Sequence, residues 1–209
     1  YILDRFCRTG TSWINTLALT GGNDMFTYRL SATNFDNKDI VPGSDMVRRN
    51  FNLRVDGKLS DKLSMSAGLK YIIEDAKNRP RLSDSPGNAN YTVWSLPASI
   101  DVETLRGTTG KAGANEDGTE LQFNDNVFVT NPWWAARQFE ANSTKNRLLG
   151  NFSARYDIWN GLSARGRLAY DRYDRRHRNL TPYGTAYSNF GQLVESNLTF
   201  QEINTELIV

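Results

Sequence analysis

The sequence predicts an all-β fold, an antiparallel sheet of the transmembrane β-barrel type, and three observations predict it. Apolar and polar residues alternate over stretches of about ten residues, the length of a membrane-spanning strand. The polar positions of these stretches include full charges. The connections between stretches alternate between very short and very long. Strands with one apolar and one charged face, joined by short turns and long loops, are typical of membrane barrels.

The first predicted hairpin joins strands at 11–20 and 25–34. Its turn is Gly21-Gly-Asn-Asp24, whose glycines and asparagine supply the positive φ angles that a tight hairpin requires. Apolar residues recur at every second position of the returning strand, so that successive side chains point to opposite faces. This apolar row consists of Phe26, Tyr28, Leu30 and Ala32.

The second predicted hairpin, at 49–59 and 63–73, shows the strongest alternation in the chain. Every odd position from Phe51 to Leu59 is apolar or glycine, and the even positions are Asn52, Arg54, Asp56 and Lys58. After a three-residue break, the odd positions are again apolar: Leu63, Met65, Ala67, Leu69, Tyr71 and Ile73.

The third predicted hairpin, at 146–158 and 162–172, turns at Trp159-Asn160-Gly161. Asn-Gly is among the strongest short signals of a β-hairpin. A seventh strand is predicted at 200–209, where apolar residues alternate with Glu202, Asn204 and Glu206.

Long loops separate the hairpins, and the longest is predicted at 76–145. Segments of this length without structure are uncommon in compact soluble domains but usual on the outer side of membrane barrels. Tryptophan side chains in this loop can stack on sugar rings or dock a partner, or they can instead fasten the loop to the barrel wall. The candidates for ligand or partner contact are Trp94, Trp133 and Trp134.

The two faces of the predicted sheet have separate roles in a membrane. We expect the charged row to line a water-filled lumen, whereas in a soluble protein the same row would be a solvated sheet face. The lumen-facing candidates are Arg54, Asp56, Lys58, Lys70, Arg155, Arg165 and Arg167. The candidates for the lipid-facing side are Leu53, Val55, Met65, Leu69, Phe152 and Leu168.

Composition excludes several classes of protein. The hydrophobic fraction of 39% and the mean hydropathy of −0.57 exclude a bundle of membrane-spanning helices. A net charge of +2 with dispersed basic residues predicts no nucleic-acid partner. His177, the single histidine, lies in a polar segment predicted as loop, and no orienting partner nominates a catalytic site. The carboxylate pairs Glu74-Asp75 and Glu116-Asp117 lack calcium-loop spacing, so we predict no metal and no cofactor.

Seven stretches, in order along nearly the whole chain, resemble the SusC/RagA family of TonB-dependent outer-membrane transporters of the Bacteroidetes. They are Gly10-Thr-Ser-Trp-Ile-Asn-Thr-Leu-Ala-Leu-Thr-Gly-Gly-Asn-Asp24, Asp39-Ile-Val-Pro-Gly-Ser-Asp45, Asn50-Phe-Asn-Leu-Arg54, Leu59-Ser-Asp-Lys-Leu-Ser64, Asn78-Arg-Pro80, Asn131-Pro-Trp-Trp134 and Gly166-Arg-Leu-Ala-Tyr170.

The resemblance implies a barrel of roughly twenty-two strands around an N-terminal plug. It also implies a TonB box in the plug region and a SusD-like surface lipoprotein as partner. Because the chain has six or seven candidate strands, we expect it to be a section of such a barrel, without catalytic activity. The implied function is import of a glycan or peptide nutrient across the bacterial outer membrane.

Two alternatives differ in class from this expectation. A passive outer-membrane channel has the same strands but no plug or TonB box. A soluble all-β binding or adhesion module has an apolar face covered by protein, and it is a monomer in solution without detergent.

Overall fold

The structure is a computed structural model that describes residues 2–209, and it confirms the predicted all-β fold. Seven antiparallel strands form one open sheet in the order of the sequence. Three short α-helices and one 3₁₀ helix, Thr104–Arg106, accompany the sheet. The strands are β1 (Thr11–Gly22), β2 (Phe26–Lys38), β3 (Asp45–Lys58), β4 (Leu63–Lys77), β5 (Glu140–Trp159), β6 (Leu162–Thr181) and β7 (Gln192–Ile208), and the helices are α1 (Ile2–Phe6), α2 (Ala89–Ser95) and α3 (Pro132–Gln138). Among the described residues, none of the helices has the length and hydropathy needed to cross a bilayer.

The register of the sheet places residues of all seven strands in continuous cross-strand rows. Leu53 of β3 pairs with Leu30 on one side and with Leu69 on the other, and Leu69 pairs in turn with Gly150. Residues two positions apart on a strand lie on the same face of the sheet. This row and the parallel rows two residues away from it therefore form one face. That face is apolar in its middle part.

The strands extend well beyond the predicted limits on the loop side. β5 begins at Glu140 instead of 146, β6 ends at Thr181 instead of 172, and β7 begins at Gln192 instead of 200. The connections at this end are therefore residues 39–44, 78–139 and 182–191, shorter than the sequence predicts. In the extensions of β5 and β6 both faces of the sheet are mostly polar, so hydrophobic alternation disappears while the backbone ladder continues. In the extension of β7, Leu193, Val194 and Leu198 do not alternate regularly with polar residues.

The three long connections gather at one end of the sheet into a compact unit, which we call the loop cap (residues 2–8, 39–44, 78–139 and 182–191). The buried apolar core of the chain lies here and not on either face of the sheet. The core combines Phe6 of α1, Val41 of the β2–β3 connection and many residues of 78–139. The 62-residue connection 78–139 is therefore a packed structure with its own short helices.

Candidate functional site

Helix α3 stands at the centre of the loop cap, and Asn131 fixes its first turn. The Asn131 side-chain oxygen accepts hydrogen bonds from the backbone N–H groups of Trp133 and Trp134, at 2.9 and 3.3 Å. Pro132 occupies the first helical position, where its missing N–H is no loss. The Asn131 amide nitrogen donates to the carbonyl oxygens of Leu105 and Leu121. One buried side chain thus orders three segments of the cap.

Trp133 and Trp134 are core residues of the cap. Their exposed fractions are 5% and 0%, so neither ring has a face free for a ligand. The indole N–H of Trp133 donates to the carbonyl of Val102 at 2.8 Å, and that of Trp134 donates to Thr185 Oγ1 at 3.0 Å. In the structure these two tryptophans join segments of the loop cap to one another, whereas the alternative in the sequence was that they fasten the loop to the barrel wall.

Glu120 joins two connections of the cap through a buried carboxylate. One carboxylate oxygen accepts from the backbone N–H of Asn131 at 2.7 Å, and the other accepts from the backbone N–H of Ala186 at 2.9 Å. Burial raises the pKa of Glu120, against the opposing effect of these two N–H bonds. The carboxylate therefore holds the 182–191 connection against the 78–139 connection.

Arg81 adds a second tie between the same connections. Its guanidinium donates to the Tyr187 hydroxyl at 3.0 Å and to Thr181 Oγ1 at 3.1 Å. It also lies over the ring of Phe139, 4.9 Å from the centroid, in a cation–π contact. The upper end of β6 is in this way fixed to the cap.

Trp94 differs from the other two tryptophans because its side chain is 81% exposed on α2. Other large apolar side chains of the cap are exposed as well. This set consists of Leu3, Ile40, Leu82, Tyr91, Val127, Phe128, Tyr183 and Phe190. An accessible aromatic ring on an ordered helix is a suitable stacking surface for a sugar or a partner side chain. A role of Trp94 in ligand or partner contact stays a prediction.

The predicted lumen-facing residues fall on one face of the sheet by register. Arg54 and Asp56 form an ion pair at 2.8 Å, and Arg155 pairs with Asp157 at 3.0 Å. Arg165 is directly opposite Arg155, a like-charge arrangement that is unfavourable unless other charges compensate it. Within residues 2–209, no carboxylate pairs with Lys70, Arg165 or Arg167.

The predicted lipid-facing residues share the opposite face, and no described part of the chain covers it. Val55 and Met65 are half-buried by their neighbours in the sheet, and the rest of the set is exposed. The exposed members are Leu53, Leu69, Phe152 and Leu168.

Several side chains lie where the sequence does not predict them. His177 is part of β6 and not of a loop, because the strand continues to Thr181. Glu74 and Asp75 are neighbours within β4, so their carboxylates point to opposite faces and share no cation. The sequence analysis missed Glu120 and Asn131 as organising residues; for Asn131, the signal is an asparagine directly before a helix-starting proline.

Comparison with known proteins finds similarity among solved structures. No family model matches the chain, and no curated protein matches it. The chain is similar to a solved structure described as "Structure of the RagAB peptide importer in the 'closed-closed' state", with a TM-score of 0.66 and 14% sequence identity. The similarity covers 99% of this chain and 22% of that chain, so the present chain spans about a fifth of its length. At this identity the likeness shows a related fold.

Proposed function

We propose that this chain forms part of the barrel wall and external loops of an outer-membrane, TonB-dependent importer. The observation that carries the proposal is the single-layer sheet with one exposed apolar face and one charged face. On β4 the apolar face runs through six alternate positions from Leu63 to Ile73, roughly 34 Å along the strand at 3.4 Å per residue. A strand tilt of about 40° reduces this to roughly 26 Å, close to the apolar band of a membrane barrel.

The charged face suits a water-filled lumen or contact with a plug, as the family resemblance implies. The resemblance also supplies the other components of the proposal: TonB acting through a plug region, and a SusD-like surface lipoprotein as partner. The nutrient is a glycan or a peptide; the similar solved structure, which is described as a peptide importer, supports the second class. The chain itself contributes no catalysis to this function.

The loop cap is the proposed contact region for ligand or lipoprotein, and Trp94 is its best candidate residue. The ring is exposed while the helix that carries it is held by an Asn88 side-chain cap. Trp133 and Trp134 contribute indirectly, since they stabilise the surface on which Trp94 is displayed.

A charge introduced in the apolar band tests the proposal. Leu69 is one of the two middle positions of the six on β4, where an arginine facing lipid costs about 2–4 kcal/mol. We expect Leu69→Arg to make folding of the full-length protein into lipid vesicles less favourable by this amount. Ser66→Arg, on the same strand but on the polar face, is the matched control and should have little effect.

Equal effects of the two arginines would contradict a lipid-facing role and favour the soluble module. The passive-channel alternative is tested separately: uptake by cells carrying the full-length protein should stop when TonB is deleted. Uptake that persists without TonB would favour the channel.

A further inference from the structure

The apolar face contains a shallow trough where β4, β5 and β6 meet. It has a volume of about 320 Å³, and its floor is at Gly150, which pairs with Leu69 on one side and with Tyr170 on the other. Because Gly150 has no side chain, the neighbouring apolar side chains stand above it as walls. These walls are formed by Leu53, Leu69, Phe152, Leu168 and Tyr170.

A second groove, polar and larger, lies on the same face of the same strands toward the loop cap. Its volume is about 710 Å³. Thr144 lies in the middle of it and pairs with Asp75 and Arg176. Three cations, Lys77, Arg176 and Arg178, line this groove beside two carboxylates, Asp75 and Glu195.

The charges of the polar groove are not balanced internally. Arg178 is 3.5 Å from Glu195 and 3.7 Å from Glu140, so this cation is compensated. Neither Lys77 nor Arg176 has an ion-pair partner among the described residues, and both are exposed. Among the groove residues without an ion-pair partner within residues 2–209, the cations Lys77 and Arg176 outnumber the one carboxylate, Asp75. A net positive groove with amide and carboxylate acceptors suits a headgroup that carries both phosphate and hydroxyl groups.

The spacing of the two grooves matches one leaflet of a membrane. Gly150 and Thr144 are six residues apart on β5, which is roughly 20 Å along a strand. At a strand tilt of about 40° this becomes roughly 15 Å, half of the hydrocarbon thickness of a bilayer. An acyl chain in the trough would therefore end with its headgroup in the polar groove.

We propose that the outer face of β4–β6 is a binding site for a single lipid with a phosphorylated sugar headgroup, in the leaflet on the side of the loop cap. The acyl chain occupies the trough at Gly150, and Lys77 and Arg176 bind the phosphate. The site rests on the proposed function, because only a sheet embedded in a membrane meets such a lipid from the side.

The test uses the full-length protein in detergent with two probes: a monophosphorylated lipid A and the same molecule without its phosphate. We expect tighter binding of the phosphorylated probe, measured by native mass spectrometry. Since each cation near an anionic lipid surface contributes about fivefold in affinity, Lys77→Ser and Arg176→Ser should each weaken that binding by about this factor. Neither change should affect the probe without phosphate.

Two further variants test whether lipid binding depends on this site or on surface charge in general. Gly150→Leu fills the trough and should weaken binding of both probes, whereas Arg49→Ser, which removes an exposed cation of the same face outside the groove, should weaken neither. Equal binding of the two probes by the unmodified protein would overturn the proposal, and so would an equal loss with Arg49→Ser and Arg176→Ser. Nutrient uptake measured in parallel distinguishes this failure from failure of the importer function, because uptake does not require the lipid preference.

Discussion

The carboxylate of Glu120 accepts a buried hydrogen bond of 2.7 Å from the backbone N–H of Asn131, within the 78–139 connection. The Asn131 side chain holds the first turn of α3, and the second oxygen of Glu120 binds the Ala186 N–H. The position of α3 and the path of the 182–191 connection are thereby determined together. This link is the structural basis for the first two predictions.

Glu120→Gln should loosen the loop cap. A glutamine offers one acceptor oxygen where the carboxylate offers two, so one of the two backbone N–H groups loses its partner at a cost of about 1–3 kcal/mol. Hydrogen exchange in the full-length protein should show lower protection of the peptides that contain Asn131 and Ala186. Glu116→Gln, an exposed carboxylate of the same connection, is the control, and an equal change there would contradict the assigned role of Glu120.

The stability of the cap should also depend on pH through Glu120. Burial raises the pKa of this carboxyl above 4.5, so the folded cap binds the proton more tightly than the unfolded segment does. The stability gained in this way is fully present below pH 4.5 and is lost as pH rises through the folded-state pKa. The protection of the cap against hydrogen exchange, corrected for intrinsic exchange rates, should therefore fall as the pH rises from 4.5 through the folded-state pKa. If the Gln variant shows the same fall, another group is responsible.

The three tryptophans of the long connection should respond differently to truncation. Trp134 is fully buried and donates to Thr185, so Trp134→Ala should destabilise the cap by about 3–5 kcal/mol. Trp94 is mostly exposed, and Trp94→Ala should change stability by less than about 0.5 kcal/mol. Co-purification of the lipoprotein partner and nutrient uptake should fall with Trp94→Ala despite normal folding. Unchanged values of both would remove Trp94 from the contact surface.

Alternation identified the strands where one face of the sheet is apolar. From Phe51 to Ile73 the pattern holds because every second residue lies on the apolar face, and the seven-strand fold followed from such segments. The pattern fails at 140–145 of β5 and at 173–181 of β6, where both faces are polar. The strands are paired there by backbone hydrogen bonds, which require no periodic pattern of apolar side chains.

The loop cap was predicted as a loop for a related reason. Its core is formed by residues far apart in sequence, such as Phe6, Val41 and Trp134, and no local sequence pattern predicts contacts of this kind. The aromatic cluster at 133–134 was visible in the sequence, but whether it faced a ligand or the core depended on these distant partners. The helix start at Asn131-Pro132 carried a local signal that could have been read in advance.

Two glycines of the long connection allow the packing against α3 to be measured separately from backbone strain. Gly113 and Gly110 have nearly equal positive φ angles, 76° and 79°. A Cβ at Gly113 would lie 2.3 Å from the backbone nitrogen of Trp134, whereas a Cβ at Gly110 would meet nothing within 4 Å. Gly110→Ala should therefore cost only the roughly 1 kcal/mol of an alanine at positive φ.

Gly113→Ala adds a clash that the backbone of α3 must relieve by moving, so it should destabilise the cap by clearly more than Gly110→Ala does. Hydrogen exchange of the α3 peptide in the full-length protein measures both effects, and the difference between the two variants isolates the contact. Equal losses of protection in the two variants would mean that the backbone near Gly113 shifts to accommodate the new Cβ without moving α3. The position of α3 would then depend on its other contacts, among them those of Asn131 and Trp134, and not on Gly113.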